Sequence, residues 1–294
     1  MKNMMAHAHA PAGRRDQATR LREIARASLP SALTIAITSG KGGVGKSSIA
    51  VNLSICLTAK GVRTTLVDVD MGLANADVLL NLQPRYTLSH VLSGSRSIDE
   101  AVLQGPGGIR FVPGASGLHE LADLSEFERQ HLIAQFRKLE ANTDILVLDC
   151  GAGLSRNVMS FALAADRVVV VTTPQPTAVT DAYAMIKALQ RQGASGRVSL
   201  FANMAESRAQ AQATYDRIAG VARKFLDYSV AYDGYMLHDT AVELAVLARC
   251  PFVIRYPGSN ASACIAALAG ELSRTISGQP RRGGFLRRVA GLFV

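Results

Sequence analysis

The sequence predicts an α/β fold, a doubly wound, mostly parallel sheet flanked by helices. Three observations carry that expectation. Near-continuous Val, Ile and Leu runs alternate with helix-like segments from residue 32 onward, as strands buried on both faces require. The first run enters a glycine-rich loop, Gly40-Lys41-Gly42-Gly43-Val44-Gly45-Lys46-Ser47, and the loop opens an apolar helix. Later runs end in Asp, Thr or Asn, at the strand ends where such sheets bind ligands.

Taken in order, Leu33 to Thr38 reads as a buried strand and Ser48 to Ala59 as the helix after the loop. Thr64 to Asp70 reads as the next strand, and Ile109 to Pro113 as a short one. Ser125 to Ala141 reads as a helix whose N-cap Ser125 is followed by Glu128, a capping-box pattern. Asp144 to Asp149 and Arg167 to Thr173 read as strands. Thr177 to Gln192 is a helix that Thr177 can cap and Gly193 ends. Val198 to Asn203 is a strand, Ala205 to Leu226 a long helix, and Ala261 to Ser277 the last core helix. No internal repeat is visible. The organisation is one domain over residues 32–278, an N-terminal arm over 1–31 and a tail over 279–294.

Composition narrows the classes. Hydrophobic residues make up 48% of 294, enough for a large core, while aromatics are 5% with no Trp. No apolar run reaches the roughly 18 residues of a membrane span. Residues 1–30 lack the hydrophobic segment of a secretory signal. Cys56, Cys150, Cys250 and Cys264 are scattered, which fits reduced thiols in a cytoplasmic protein and excludes paired cluster ligands. The six histidines show no metal-ligand spacing. The formal charge of +9 favours an anionic partner such as a nucleotide, a membrane surface or nucleic acid, without choosing among them.

The glycine loop fits the phosphate-binding pattern G-x-x-x-x-G-K-[ST] at each fixed position. Glycines let successive N–H groups turn toward an anion, and the helix N-terminus adds partial positive charge. The pattern gives Lys46 the β- and γ-phosphates and Ser47 the Mg²⁺. Lys41 is extra to it: it can fold back on its own nucleotide, point into solvent, or reach a nucleotide held by a second subunit. Asp68 and Asp70 alternate along the predicted strand, so both point one way, as a Mg²⁺/water pair or as ordinary capping aspartates. Leu146-Val147-Leu148-Asp149 is a Walker B pattern whose acid sits near Mg²⁺. Asn203 ends a strand with an amide able to donate to and accept from a purine edge. In residues 285–294, Phe285, Leu286, Val289, Leu292 and Phe293 fall within an arc of roughly 120° at ~100° per residue. With Arg287 opposite, this is a basic amphipathic helix suited to an anionic bilayer, or else docked on its own domain.

K-G-G-V-G-K-S resembles the signature of the MinD/ParA class of deviant Walker A ATPases, P-loop NTPases of SIMIBI/MinD-like fold. The segment Asp68-Val69-Asp70-Met71-Gly72-Leu73-Ala74-Asn75 is similar to their switch I. Thr172-Thr173-Pro174-Gln175-Pro176-Thr177-Ala178-Val179-Thr180-Asp181-Ala182-Tyr183 resembles the FlhG/FleN (YlxH) subfamily, with Gln175 in place of the common Glu. Asp16-Gln17-Ala18-Thr19-Arg20-Leu21-Arg22 matches its D-Q-A-x-x-L-R motif.

The resemblance implies an ATPase with ATP and Mg²⁺ as cofactors. The nucleotide is implied to lie along Gly40, Lys41, Gly42, Gly43, Val44, Gly45, Lys46, Ser47 and Ser48, with Asn75 on phosphate and Asn203 on adenine. Ser47, Asp68 and Asp149 serve the metal, Asp68 through water. Asp70 positions the attacking water, and Lys41, with Lys46, completes catalysis across an ATP-dependent homodimer. Cys150 departs from the Thr or Ser usual in relatives, which removes a hydroxyl there. An FlhF-like GTPase is implied to bind Asp16, Gln17, Arg20 and Leu21. Flagellar switch (C-ring) proteins or a flagellar transcription regulator are further implied partners; nucleic acid is not. The implied place is the cytoplasm, reversibly at the inner face of the membrane. Rival readings are a MinD-type division-site regulator and a ParA-type partitioning ATPase.

Overall fold

The computed structural model describes residues 32–70, 75–114, 125–194, 196–276, 285, 288 and 289. The strands are β1 (Leu33–Ser39), β2 (Thr64–Asp68), β3 (Leu103–Gln104), β4 (Arg110–Val112), β5 (Ile145–Ala152), β6 (Arg167–Thr172), β7 (Arg197–Ala205) and β8 (Ala231–Leu237). They form one sheet in the order β3-β4-β2-β5-β1-β6-β7-β8. β3 is antiparallel to β4, and the remaining pairs are parallel. The expected doubly wound, mostly parallel sheet is what the chain forms.

Its centre is buried on both faces, the polar Thr34, Thr38, Ser39 and Arg167 included. Every residue of β1 and β6 is buried. Side chains alternate between two cores, with Ile35 and Ile37 on one face and Ala36 on the other. The first face is covered by α1 (Lys46–Ala59) and α11 (Asn260–Ile276), which pack on each other. Buried side chains surround α1, because it lies between the sheet and α11. The second face carries α5 (Glu126–Ala141), α6 (Arg156–Ala164), α7 (Pro176–Arg191) and α8 (Arg208–Leu226). The capping box at Ser125 and Glu128 is present, the Ser125 N–H donating to Glu128 Oε2 at 2.9 Å.

The structure departs from the sequence expectation at the end of β2, at the start of α7, in added elements, and at the β7–α8 junction, where Ala205 closes the strand and the helix begins only at Arg208. β2 stops at Asp68, because the Asp68 carboxylate turns back to accept the Asp70 N–H at 3.0 Å. Asp70 therefore leaves the strand, and the two acids are not alternate positions on one strand face. Thr177 does not cap α7; the helix starts one residue earlier, at Pro176, with Gln175 in the N-cap position. β8 and α6 are additional elements. β8 carries Asp233 and Gly234 on a half-exposed edge, so neither an apolar run nor clean alternation marks it.

The described tail residues lie against the domain. Phe285 is buried and stacks near Phe161 with ring centroids 6.2 Å apart. Its N–H donates to the buried Glu140 carboxylate at 2.7 Å. Val289 is buried in the same core, while Arg288 donates to the Ala164 carbonyl at 2.7 Å and pairs with Asp166 at 3.1 Å. Leu286, Leu292 and Phe293 lie outside the described residues, as do Asp16, Gln17, Arg20 and Leu21. Phe285→Ala is expected to lower stability in urea unfolding by about 3 kcal/mol; an unchanged midpoint would mean that this ring is not packed.

Candidate functional site

Four strands bring the site together at their C-terminal ends. β1 leads into the phosphate loop, β2 ends at Asp68 beside Asp149 of β5, and Asn203 near the end of β7 lies beside the loop. Gly43 and Gly45 adopt left-handed backbone conformations, φ 77° and 89°, which favour glycine. At Gly45 a Cβ would also lie 2.4 Å from the Asn203 amide nitrogen. At Gly42 and Gly43 a Cβ would meet nothing within 4 Å. Asn203 holds the loop from below, its Nδ2 donating to the Val44 carbonyl at 2.8 Å while its Oδ1 accepts the Met204 N–H at 2.8 Å. That bracing role was not legible in sequence; a purine would have to use the remaining amide hydrogen or lone pair. Lys46 is buried at the start of α1, with Ser47 and Ser48 beside it in the first turn.

The acids converge below the loop. Asp68 and Asp149 are register partners on adjacent strands, each 1% exposed. Asp68 Oδ2 also receives the Ala76 N–H at 3.4 Å. Burial, then the charges of Asp149 and Asp70, push the Asp68 carboxyl well above the ordinary range. Burial pushes Asp149 up to about 6, although the Ser47 hydroxyl and Lys46 nearby pull it down. Neither Asp149 oxygen has a well-formed hydrogen bond in the structure. Asp70 lies at this cluster, for a Cβ on Gly151 would come within 3.2 Å of its carboxylate. Asn75 precedes α2 (Ala76–Leu80) without a side-chain capping bond, and Met71 to Ala74 lie outside the described residues. Cys150 turns into the opposite core, where burial raises its thiol, so it presents no polar group to the site.

A hard divalent cation fits this set: the buried Asp149 carboxylate, whose oxygens lack hydrogen-bond partners, beside a serine hydroxyl and a second carboxylate, supplies oxygen ligands of the type it requires. Ser47 and Asp149 would hold Mg²⁺, with Asp68 behind them. The bound ion would screen negative charge on the phosphates. The chain's own contribution is a preformed anion cradle, one buried ammonium at Lys46, and the Asp70 carboxylate, which can accept a proton or orient water.

Lys41 lies on the rim. Its Nζ donates to Thr177 Oγ1 at 2.9 Å and to Gln175 Oε1 at 3.5 Å, both in the segment after β6. The Ser39 hydroxyl fixes the Lys41 carbonyl at 2.6 Å. Sequence reasoning had Thr177 as a helix cap and Gln175 as a departure from relatives; the fold makes both into a cradle for the lysine.

A glycine-lined anion cradle, a buried lysine and a carboxylate pair define a phosphate-loop ATPase. Comparison with known proteins agrees. The AAA domain family matches residues 32–199. Antiactivator FleN of Pseudomonas aeruginosa is 40% identical over 238 residues, covering 81% of this chain and 85% of FleN. The flagellum site-determining protein YlxH of Helicobacter pylori is 39% identical over 189 residues, 64% of each chain. The fold also matches the cell division ATPase MinD of Pyrococcus furiosus, with a TM-score of 0.69, 24% identity and coverage of 83% of this chain and 99% of that one. The chain belongs to the FlhG/FleN subfamily of the MinD/ParA ATPases, enzymes that use ATP and Mg²⁺.

The raised Asp149 carboxyl gives a pH signature. A carboxyl raised to about 6 in the fold, against 3.8 ordinarily, contributes stability fully present below about pH 4 and lost as pH rises to about 6. Without metal or nucleotide, Asp149→Asn is expected to melt higher than wild type at pH 7, by on the order of 2 kcal/mol. A lower-melting Asp149→Asn protein would show that the charge is stabilised in the fold.

Proposed function

We propose that this chain is an ATP-dependent dimerising switch that sets flagellar number and placement. Its implied partner is an FlhF-like GTPase, engaged through the D-Q-A-x-x-L-R segment at Asp16 to Arg22. The single observation that carries the dimerising switch is the position of Lys41. Its ammonium is tied to the rim by two neutral acceptors, Thr177 and Gln175. A contact between exposed polar groups contributes little, so the lysine is cheaply released toward a second copy's phosphates. Leu154, just after β5, and Met204, near the end of β7, are 50% and 39% exposed on the same end of the sheet, where a second copy would cover them. In such a dimer each Lys41 adds charge stabilisation at the transferring phosphoryl group, and Asp70 orients the attacking water. Hydrolysis would return the monomer.

The flagellar role rests on similarity to FleN and YlxH, at 40% and 39% identity. The tail supplies the membrane half of the switch. Phe285 and Val289 are buried on the domain, and the same apolar face is the one a bilayer would take up. The two sites compete for one surface, so membrane binding requires the tail to leave Glu140, Phe161 and Asp166. A short helix binds weakly alone, and pairing two in a dimer multiplies its affinity.

Lys41→Ala is expected to lower ATP turnover more than a hundredfold, on the order of the effect of an arginine finger, and to leave the chain monomeric in light scattering with ATP. Unchanged turnover would remove the trans-lysine reading. Gln175→Glu replaces a neutral tether by an exposed ion pair, and should slow turnover severalfold at low salt with partial recovery at high salt. Equal rates at both salt concentrations would mean that the rim contact does not hold the lysine. Deletion of residues 283–294 should abolish ATP-dependent sedimentation with anionic liposomes; equal sedimentation would remove the membrane role. Capture of an FlhF-like GTPase, lost with Gln17→Ala, separates a flagellar role from a division-site role.

A further inference from the structure

The far end of the same sheet holds a cavity that the ATPase reading does not use. It has a volume of about 560 Å³ and lies between the starts of β6, β7 and β8 and helix α11. That size is within the range of small-molecule sites. Its floor is a buried polar cluster. Arg167 is 8% exposed and pairs with Asp233, whose side chain is 1% exposed. The Arg167 Nε donates to Asp233 Oδ2 at 3.1 Å, and the Ser199 hydroxyl donates to the same carboxylate oxygen at 2.5 Å. These donors occupy both oxygens of Asp233 and leave Arg167 N–H groups beyond those spent on it. The neighbouring strand sets Arg197 beside Arg167 in register, and both line the cavity. Arg197 makes no ion pair among the described residues. On the helix side the wall is apolar, with Leu268, Ala267 and the half-buried thiol of Cys264. Glu271, the acid of that wall, is paired with Arg274.

We infer that this cavity is a second ligand site, for a small organic anion, a carboxylate or phosphomonoester on a compact apolar body. The anionic head sits against the Arg197 and Arg167 guanidinium groups, and the body lies on Leu268 and Ala267. A charged head alone lacks the apolar contact, and a neutral body leaves Arg197 without a counter-charge. Gly234, with a φ of 104° that favours glycine, lines the cavity where the β7–β8 register shifts.

Cys264 lines the cavity and reports its occupancy. The full chain is saturated with Mg-ADP to fill the phosphate loop, then treated with N-ethylmaleimide at mildly alkaline pH. Labelling of Cys264 is followed by mass spectrometry with phenyl phosphate as the probe, and with inorganic phosphate and phenol as controls. Phenyl phosphate should slow labelling about fivefold or more, each control much less, and Arg197→Gln should remove the protection. Arg197 is exposed and makes no ion pair among the described residues, so that variant keeps the fold. Ala267→Trp, which fills the cavity, should abolish phenyl phosphate binding in ligand-observed NMR. Absence of protection, protection unchanged in Arg197→Gln, or equal protection by either control overturns the site. Nucleotide affinity measured in the same samples keeps this result separate from any failure of the ATPase reading.

Discussion

Two carboxylates set next to each other in a dry place govern this molecule. Asp68 and Asp149 are register partners at the ends of β2 and β5, and burial makes the ionised state of each expensive. Charges a few ångströms apart at low dielectric repel strongly, so such a pair weakens a fold that has nothing to put between them. Around the pair the chain arranges compensation of the opposite sign: Lys46 at the helix start, the Ser47 hydroxyl, and a loop whose backbone turns on left-handed glycines. The acids, the cradle and the helix terminus are one electrostatic unit, and it is complete only when cation and phosphate join it.

Parallel strands make that unit possible. They deliver their C-terminal ends to one side, so chemistry from β1, β2, β5 and β7 meets although the residues are far apart in the chain. Asn203 shows the cost and the benefit. Its amide is spent inside the protein, on Val44, and that contact leaves no room for a side chain at Gly45. The site is thus held by packing as well as by loop sequence. The opposite ends of β6 and β7 collect a different chemistry, arginines that one buried aspartate only half neutralises.

Lys41 and the tail share a physical logic. Each is fastened in the single chain by contacts weak enough to exchange. Lys41 rests on two neutral oxygen acceptors, and the described tail residues rest on one aromatic ring and on polar contacts to Glu140, Ala164 and Asp166. A few kcal/mol is enough to move such an equilibrium nearly completely. The proposed switch would work on that scale.

The sequence by itself determined the class of fold, the phosphate loop and the Walker B acid, because those depend on local pattern: unbroken β-branched runs, glycine spacing and a lysine at a helix start. It also determined the capping box at Ser125, which spans three residues. Tertiary structure alone decided the rest. The turn at Asp68 took Asp70 off the strand through a hydrogen bond that residue spacing does not encode. Thr177 became a seat for Lys41, 136 positions away in sequence. Phe285 found Phe161, and β8 found the sheet edge with a glycine in its middle. A residue's type limits what it can bond, while the partner it meets depends on which strand ends and helix faces the fold brings within reach.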